Sequence, residues 1–268
     1  MDKPVVGVIG FGELGTVAGA ALTRDGYRVL GLDPSPEARR RMSDLGVEVA
    51  ADPAQIGREC DAVVVLVVTA DQTRAVLDGP DGLFAAMPGG VVLLQSTVGP
   101  EISIEMDRAS PAGVTFIDAP VTVRRGDPPT FFALVGARAP LSPTIRTMLD
   151  SYCHEVAIIG PPGAGQAAKL ANNVMSIVNT AAASEALRMA AAYGIEREAM
   201  LALARRGSGA SQALMTWDHR REGLFEPGPG DPHRRSKARK DLSTAVRTAQ
   251  TLGVEMPVTQ SAIDQLKI

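Results

Sequence analysis

The sequence predicts an α/β domain built on a parallel sheet, followed by an all-helical domain. Three observations carry that prediction. Short β-rich runs alternate with helix-patterned stretches through the first part of the chain; the breaker run Gly160-Pro161-Pro162-Gly163 ends the alternation; and no clear strand follows it. The spacing places the domains at 1–160 and 161–268.

The strand candidates are Val5–Ile9, Arg28–Leu32, Ala62–Val67, Val91–Leu94, Thr115–Ile117, Phe131–Val135 and Val156–Ile158. Helix-patterned stretches separate several of them: Leu14–Arg24, Pro36–Leu45, Gln72–Leu77, Ile102–Ser110 and Ser142–Tyr152. Apolar strands alternating with helices imply right-handed βαβ units and a doubly wound parallel sheet covered on both faces. Beyond the breaker, Gly165–Tyr193 reads as one helix with Gly194 as its C-cap, roughly 40 Å long at 1.5 Å per residue. Further helices are expected over Glu198–Arg205, Ser211–Arg221, Ser236–Leu252 and Pro257–Leu266, with 227–232 as a loop.

Composition narrows the function classes. With 27 Lys+Arg against 30 Asp+Glu, the net charge of -3 argues against a nucleic-acid partner, which favours a strong basic excess. The two cysteines, Cys60 and Cys153, have no metal-ligand spacing and read as reduced thiols, and no metal site is expected. The Ala/Leu/Val-rich stretch around Leu170–Ala192 carries Asn172, Asn173, Asn179, Glu185 and Arg188, a set that a membrane span does not tolerate. No signal-peptide pattern is visible at the N-terminus, so a soluble cytoplasmic protein is expected.

Directly after the first strand comes Gly10-Phe11-Gly12-Glu13-Leu14-Gly15, a G-x-G-x-x-G that opens a helix. Its first glycine permits the tight turn, the second lets backbone approach a pyrophosphate, and the third lets helix and strand pack closely. The helix N-terminus offers N–H groups and partial positive charge to phosphates. The second strand ends in Asp33, eighteen residues beyond Gly15, where a carboxylate accepts hydrogen bonds from adenosine ribose hydroxyls and repels a 2′-phosphate. This context predicts a Rossmann domain binding a nicotinamide dinucleotide, NAD in preference to NADP. Arg39 and Arg40, a turn or two later, soften that preference.

Three later motifs make the reading more specific. Gln95-Ser96-Thr97-Val98-Gly99-Pro100 follows the Val91–Leu94 strand, and Asp118-Ala119-Pro120-Val121 follows Thr115–Ile117. Gly163-Ala164-Gly165-Gln166-Ala167-Ala168-Lys169-Leu170-Ala171-Asn172-Asn173 opens the long helix, and Lys240-Asp241-Leu242 lies in the penultimate one. In this order, over residues 4 to about 258, the chain resembles the β-hydroxyacid dehydrogenase family, which includes 3-hydroxyisobutyrate dehydrogenase and tartronate semialdehyde reductases and has 6-phosphogluconate dehydrogenase as a larger relative.

The resemblance implies NAD(P)-dependent hydride transfer to or from a small β-hydroxy acid or its semialdehyde. Residues 10–15 would hold the pyrophosphate, Asp33 the ribose, and Thr97 the nicotinamide end, with Lys240 reaching the cofactor from the helical domain. Lys169 would be the catalytic acid/base, and Asn173 and Thr122 would contact the substrate. A homodimer or homotetramer is implied as well. Residue chemistry agrees: Lys169 and Asn173 are four apart on a helix and share a face. An ammonium stabilises charge developing on a carbonyl oxygen and supplies its proton. A lysine pKa near 10.4 is high for the reverse step, so desolvation and a nearby oxidised nicotinamide are expected to lower it.

The sequence also departs from the family. Where members read D-A-P-V-S-G-G, this chain has Asp118-Ala119-Pro120-Val121-Thr122-Val123-Arg124-Arg125-Gly126. Thr122 keeps a hydroxyl, but Val123 and Arg124 do not replace an open Gly-Gly backbone. Either Arg124 (or Arg125) offers a bidentate guanidinium to an acidic substrate group, or the loop has moved and the arginines are solvated. The run from His233 to Arg239 is basic where members are apolar, read either as a solvated helix start or as cations facing the substrate. The chain stops at Ile268, where members run on for a short helix, so the resemblance leaves the closure of the substrate pocket open. Two alternatives stay beside the leading one: a reductase of another carbonyl or an imine, and a non-catalytic dinucleotide-binding scaffold or sensor.

Overall fold

A computed structural model describes residues 3–124, 129–217, 223–225 and 231–266, without the side chain of Arg124. Arg125, residues 218–221 of the predicted Ser211–Arg221 helix and residues 227–230 of the predicted loop lie outside the described residues. The chain forms two compact units that divide between Lys169 and Leu170.

The first unit opens with β1 (Val6–Ile9), α1 (Glu13–Arg24), β2 (Val29–Leu32), α2 (Pro36–Asp44), β3 (Glu48–Val49), α3 (Pro53–Glu59) and β4 (Ala62–Val65). It continues with α4 (Ala70–Asp78), α5 (Leu83–Ala86), β5 (Gly90–Leu94), α6 (Pro100–Ala109), β6 (Val114–Asp118), β7 (Val121–Arg124), β8 (Thr130–Gly136), α7 (Pro143–Asp150) and β9 (Cys153–Gly160). The helix α8 (Ala164–Ala192) begins in this unit and runs on into the second. There it is followed by α9 (Arg197–Arg206), α10 (Gln212–Met215), α11 (Pro232–Thr251) and α12 (Pro257–Gln265).

Strands β3-β2-β1-β4-β5-β6 lie in that order and all run parallel. Every residue of β1 and β4 is buried, as expected for strands covered on both faces. Alternation divides the core. Val6, Val8, Ala62 and Val64 pack with Leu22 and Met42 on one side, while Ile9, Val63 and Val65 pack with Ile56 and Leu77 on the other. Each such fully buried Val, Leu or Ile stabilises the fold by about 1.5–3 kcal/mol relative to exposure.

Beyond the parallel strands the sheet is mixed at its far end, where the alternating pattern predicts further parallel strands. Strand β8 runs antiparallel to β6, through Asp118 opposite Gly136, and antiparallel to β7, while β9 pairs parallel with β8. Link length explains this. A parallel neighbour needs a crossover of a dozen or more residues, and only Ala119 and Pro120 separate β6 from β7, and five residues separate β7 from β8. Thr122 and Val123, expected in a substrate loop, are therefore strand residues opposite Phe132 and Phe131.

The predicted helix Ser236–Leu252 also begins earlier, at Pro232. Asp231 caps it by accepting from the N–H groups of His233 and Arg234, and proline suits the first helical position. Among the described residues of the second unit no strand occurs, and no helix among the described residues is long and apolar enough to cross a membrane.

The join between β1 and α1 is tight. Gly10 has φ +90°, and a Cβ on Gly15 would stand 2.0 Å from the Gly10 carbonyl oxygen, whereas a Cβ on Gly12 would meet nothing within 4 Å. We expect Gly15→Ala to destabilise the protein by about 2 kcal/mol or more, and Gly12→Ala by less than about 1 kcal/mol. Denaturant unfolding of both variants checks this, and equal losses would contradict the packing described.

Candidate active site

Because β1, β2, β4, β5 and β6 are parallel, their carboxyl ends share one edge of the sheet. The G-x-G-x-x-G turn follows β1, Asp33 follows β2, Thr97 lies in the loop after β5, and Asp118 is the last residue of β6. Strand order reverses between β1 and β4, the place where open α/β sheets form a ligand crevice.

The turn suits a dinucleotide. Gly12 is exposed, no side chain caps the start of α1, and Glu13 and Leu14 form its first turn, so an incoming pyrophosphate finds an uncapped N-terminus. Phe11 is wholly buried against Gly19 and packs the turn onto the core. Asp33 is half-buried and holds the turn: Phe11 N donates to its Oδ2 at 2.7 Å, and Ser35 N donates to its Oδ1 at 2.9 Å. Each carboxylate oxygen can accept more than one hydrogen bond, so Asp33 keeps acceptor capacity beyond these two. The neighbouring arginines are engaged as well. Arg39 donates to the Asp33 carbonyl, Arg40 pairs with Glu37, and Arg41 donates to the Phe11 carbonyl.

The second element of the edge is the start of α8. Asp118 is fully buried, and its Oδ2 accepts from Gly163 N at 2.9 Å and from Gln166 N at 3.2 Å. It thus does for this helix what a capping side chain does, from 45 residues away in sequence. Its Oδ1 is buried with no hydrogen-bond partner among the described residues. Burial raises the carboxyl pKa to about 6, and the N–H groups of Gln166, Gly163 and Gly165 keep it from rising further. Gly165 must be glycine, since a Cβ there would lie 2.2 Å from the Leu134 carbonyl oxygen and 3.1 Å from Asp118 Oδ2.

Gln166, also fully buried, ties the helix start to the loop after β5. Its Oε1 accepts from Val98 N and Gly99 N, and its Nε2 donates to the Ser96 carbonyl. Thr97 lies between those anchors, half-buried. Lys169, one turn after Gln166, is only 9% exposed.

In the second unit, Asn173 and Lys240 meet at one carboxylate. Asn173 Nδ2 donates to Asp241 Oδ2 at 2.9 Å, and Lys240 Nζ lies 3.1 Å from Asp241 Oδ1. The basic run ahead of Lys240 is largely solvated. His233, Arg234, Lys237 and Arg239 are exposed, Arg234 pairs with Asp231, and Arg235 donates to the Gly223 carbonyl. Both thiols, Cys60 and Cys153, are buried and pushed up to about 12, so neither ionises near neutral pH.

Asp118, Gln166 and Asp241 stand within the sequence motifs, but the motif spacing assigns them no role. The available signals are an acidic residue that ends a strand whose carboxyl-terminal half is buried, and another beside an expected cofactor lysine. The hydrogen bonds themselves span 45 to 70 residues and leave no local pattern.

An uncapped glycine turn at the switch point of a parallel sheet, a carboxylate on the next strand and a buried lysine define a dinucleotide-dependent oxidoreductase. Comparison with known proteins carries this further. Residues 5–160 match the family described as the NAD binding domain of 6-phosphogluconate dehydrogenase, and residues 163–267 match the NAD-binding region of NADP-dependent 3-hydroxyisobutyrate dehydrogenase. The L-threonate dehydrogenase of Cupriavidus necator is 34% identical over 73% of this chain and 67% of its own length. The 2-(hydroxymethyl)glutarate dehydrogenase of Eubacterium barkeri is 25% identical over 98% and 88%. A crystal structure of 3-hydroxyisobutyrate dehydrogenase from Salmonella typhimurium superposes with a TM-score of 0.80 at 29% identity, covering 99% of this chain and 93% of that one.

The chain belongs to the β-hydroxyacid dehydrogenase family of NAD(P)-dependent oxidoreductases, whose named members act on CH–OH groups of small hydroxy acids.

The buried Asp118 makes a pH prediction. Its folded pKa of about 6 lies above the ordinary value of 3.8, so its contribution to stability is complete below about pH 4 and is lost as pH rises through about 6. We expect the unfolding free energy of the wild type, relative to Asp118→Asn, to fall by on the order of 3 kcal/mol across that window and to stay flat above it. A difference independent of pH would contradict the assignment.

Proposed function

We propose that Lys169 is the catalytic acid/base of an NAD-preferring dehydrogenase of small β-hydroxy acids or their semialdehydes, with residues 10–15, Asp33, Thr97 and Lys240 binding cofactor and Asn173 and Thr122 contacting substrate. The observation that supports this best is a lysine buried one turn after Gln166, on a helix start anchored to the carboxyl edge of β6.

Bound nicotinamide supplies the hydride acceptor or donor. In the oxidation direction the neutral Nζ of Lys169 takes the hydroxyl proton as the C–H bond breaks. In reduction the ammonium stabilises the charge growing on the carbonyl oxygen and returns that proton. The Asp241 carboxylate orients the amide of Asn173 and the ammonium of Lys240.

NAD preference rests on Asp33, whose carboxylate would face the added charge of a 2′-phosphate; like charges brought together at a site cost several kcal/mol. The exposed apolar side chains Met175 and Met189 on α8, with Tyr193 just beyond its end, favour a homodimer or homotetramer, since a second copy would cover them. A cytoplasmic location fits the composition.

A second reading keeps the chemistry and changes the substrate. With Thr122 and Val123 in β7, the backbone there is paired in a ladder instead of forming an open glycine loop. That favours a carbonyl substrate whose acidic group is held elsewhere, so turnover is to be screened over hydroxy acids and aldehyde acids with both cofactors.

With the substrate found in that screen, we expect Lys169→Ala to lower kcat/KM about a thousandfold while NAD affinity stays within about threefold. Asp33→Ala is expected to reduce the NAD-over-NADP ratio of kcat/KM about tenfold or more. Full activity in the first variant, or an unchanged ratio in the second, would remove that residue from its role.

A further inference from the structure

The carboxamide of Gln166 makes three hydrogen bonds, all to main chain of one short loop. Val98 N donates to Oε1 at 3.0 Å, Gly99 N donates to the same oxygen at 3.2 Å, and Nε2 donates to the Ser96 carbonyl at 2.8 Å. Its own backbone N–H donates to Asp118 at the end of β6. One residue is therefore bonded through its main chain to one strand end and through its side chain to the loop after the neighbouring strand.

Few side chains meet this demand. The position requires an acceptor of two hydrogen bonds and a donor of one at the same reach. Glutamate cannot donate, lysine cannot accept, and methionine does neither with strength. Losing the amide would take from two buried N–H groups and one buried carbonyl the partner they have here, a large enough cost that the loop would shift toward water. The bonds that hold the glycine turn run instead through Asp33, Ser35 and Arg41. The loop after β5 can therefore loosen while the turn stays in place.

We propose that Gln166 is a positioning residue that locks the Thr97 loop to the first turn of the Lys169 helix, and so holds the nicotinamide half of the cofactor site in register with the acid/base. This rests on the reading in which Thr97 lines the nicotinamide end. The adenosine and pyrophosphate half is held by residues 10–15 and Asp33 and is independent of Gln166.

The test is calorimetric titration of wild type, Gln166→Met and Gln166→Glu with NAD and with ADP-ribose, which lacks the nicotinamide. For Gln166→Met we expect NAD to bind about tenfold or more weakly and ADP-ribose to stay within about twofold. Gln166→Glu keeps an acceptor for Val98 and Gly99, so its NAD loss falls in between; should the methionine variant fail to fold, the same split in the glutamate variant decides. Equal weakening of both ligands would reduce Gln166 to general structural support, and unchanged binding of both would remove it altogether; either result overturns the proposal. The acid/base reading stands or falls separately, on turnover by Lys169→Ala, a variant expected to bind both ligands as wild type does.

Discussion

The structure of the first unit turns on a carboxylate buried under the first turn of a helix. Asp118 is the buried last residue of β6, and its charge is compensated by main-chain N–H groups at the start of α8 and by the positive end of that helix. Burying an ionised carboxyl is costly, and here it is only partly offset: one oxygen lacks a partner among the described residues and the pKa rises to about 6. What the arrangement secures is position. Gly136 and Gly165 crowd around the carboxylate so closely that a Cβ on either would stand 2.7 and 3.1 Å from Oδ2. The helix carrying Lys169 therefore has one seat on the sheet edge, and Gln166, seated with it, carries the constraint across to the loop of Thr97.

A comparable device recurs in the second unit. Asp241, nearly buried, takes the Asn173 amide on one oxygen and the Lys240 ammonium beside the other. In both units an acidic residue organises groups expected to meet cofactor or substrate, and the low local dielectric makes each contact more directional than it would be in water. Such ion pairs and cradles contribute little net stability. Their value lies in fixing side-chain geometry before ligand arrives.

Much of this was legible in the sequence. The parallel half of the sheet, the glycine turn, Asp33 and the long helix are local signals, each a short run with its own periodicity or breaker. Other elements were missed for identifiable reasons. The helix α3 is only seven residues long, though Asp52 caps it and Pro53 opens it. The strand β7 carries a polar Thr122 and follows a proline, so its four residues resembled a loop; only its pairing with β8 makes it a strand. The antiparallel end of the sheet follows from link lengths that were readable but were overridden by the alternating pattern upstream. The roles of Asp118, Gln166 and Asp241 were out of reach because each depends on a partner far away in sequence, and no propensity reports that.

The central claim is that the Asp118 carboxylate seats the helix start and, through Gln166, the loop after β5. Amide hydrogen exchange, compared between wild type and Asp118→Ala, tests it most directly. The account requires protection to fall at Gly163, Gly165 and Gln166 and, with them, at Val98 and Gly99, while the β1 and β4 amides keep theirs. Undiminished protection at the helix start, or a uniform loss across the whole sheet, would contradict it.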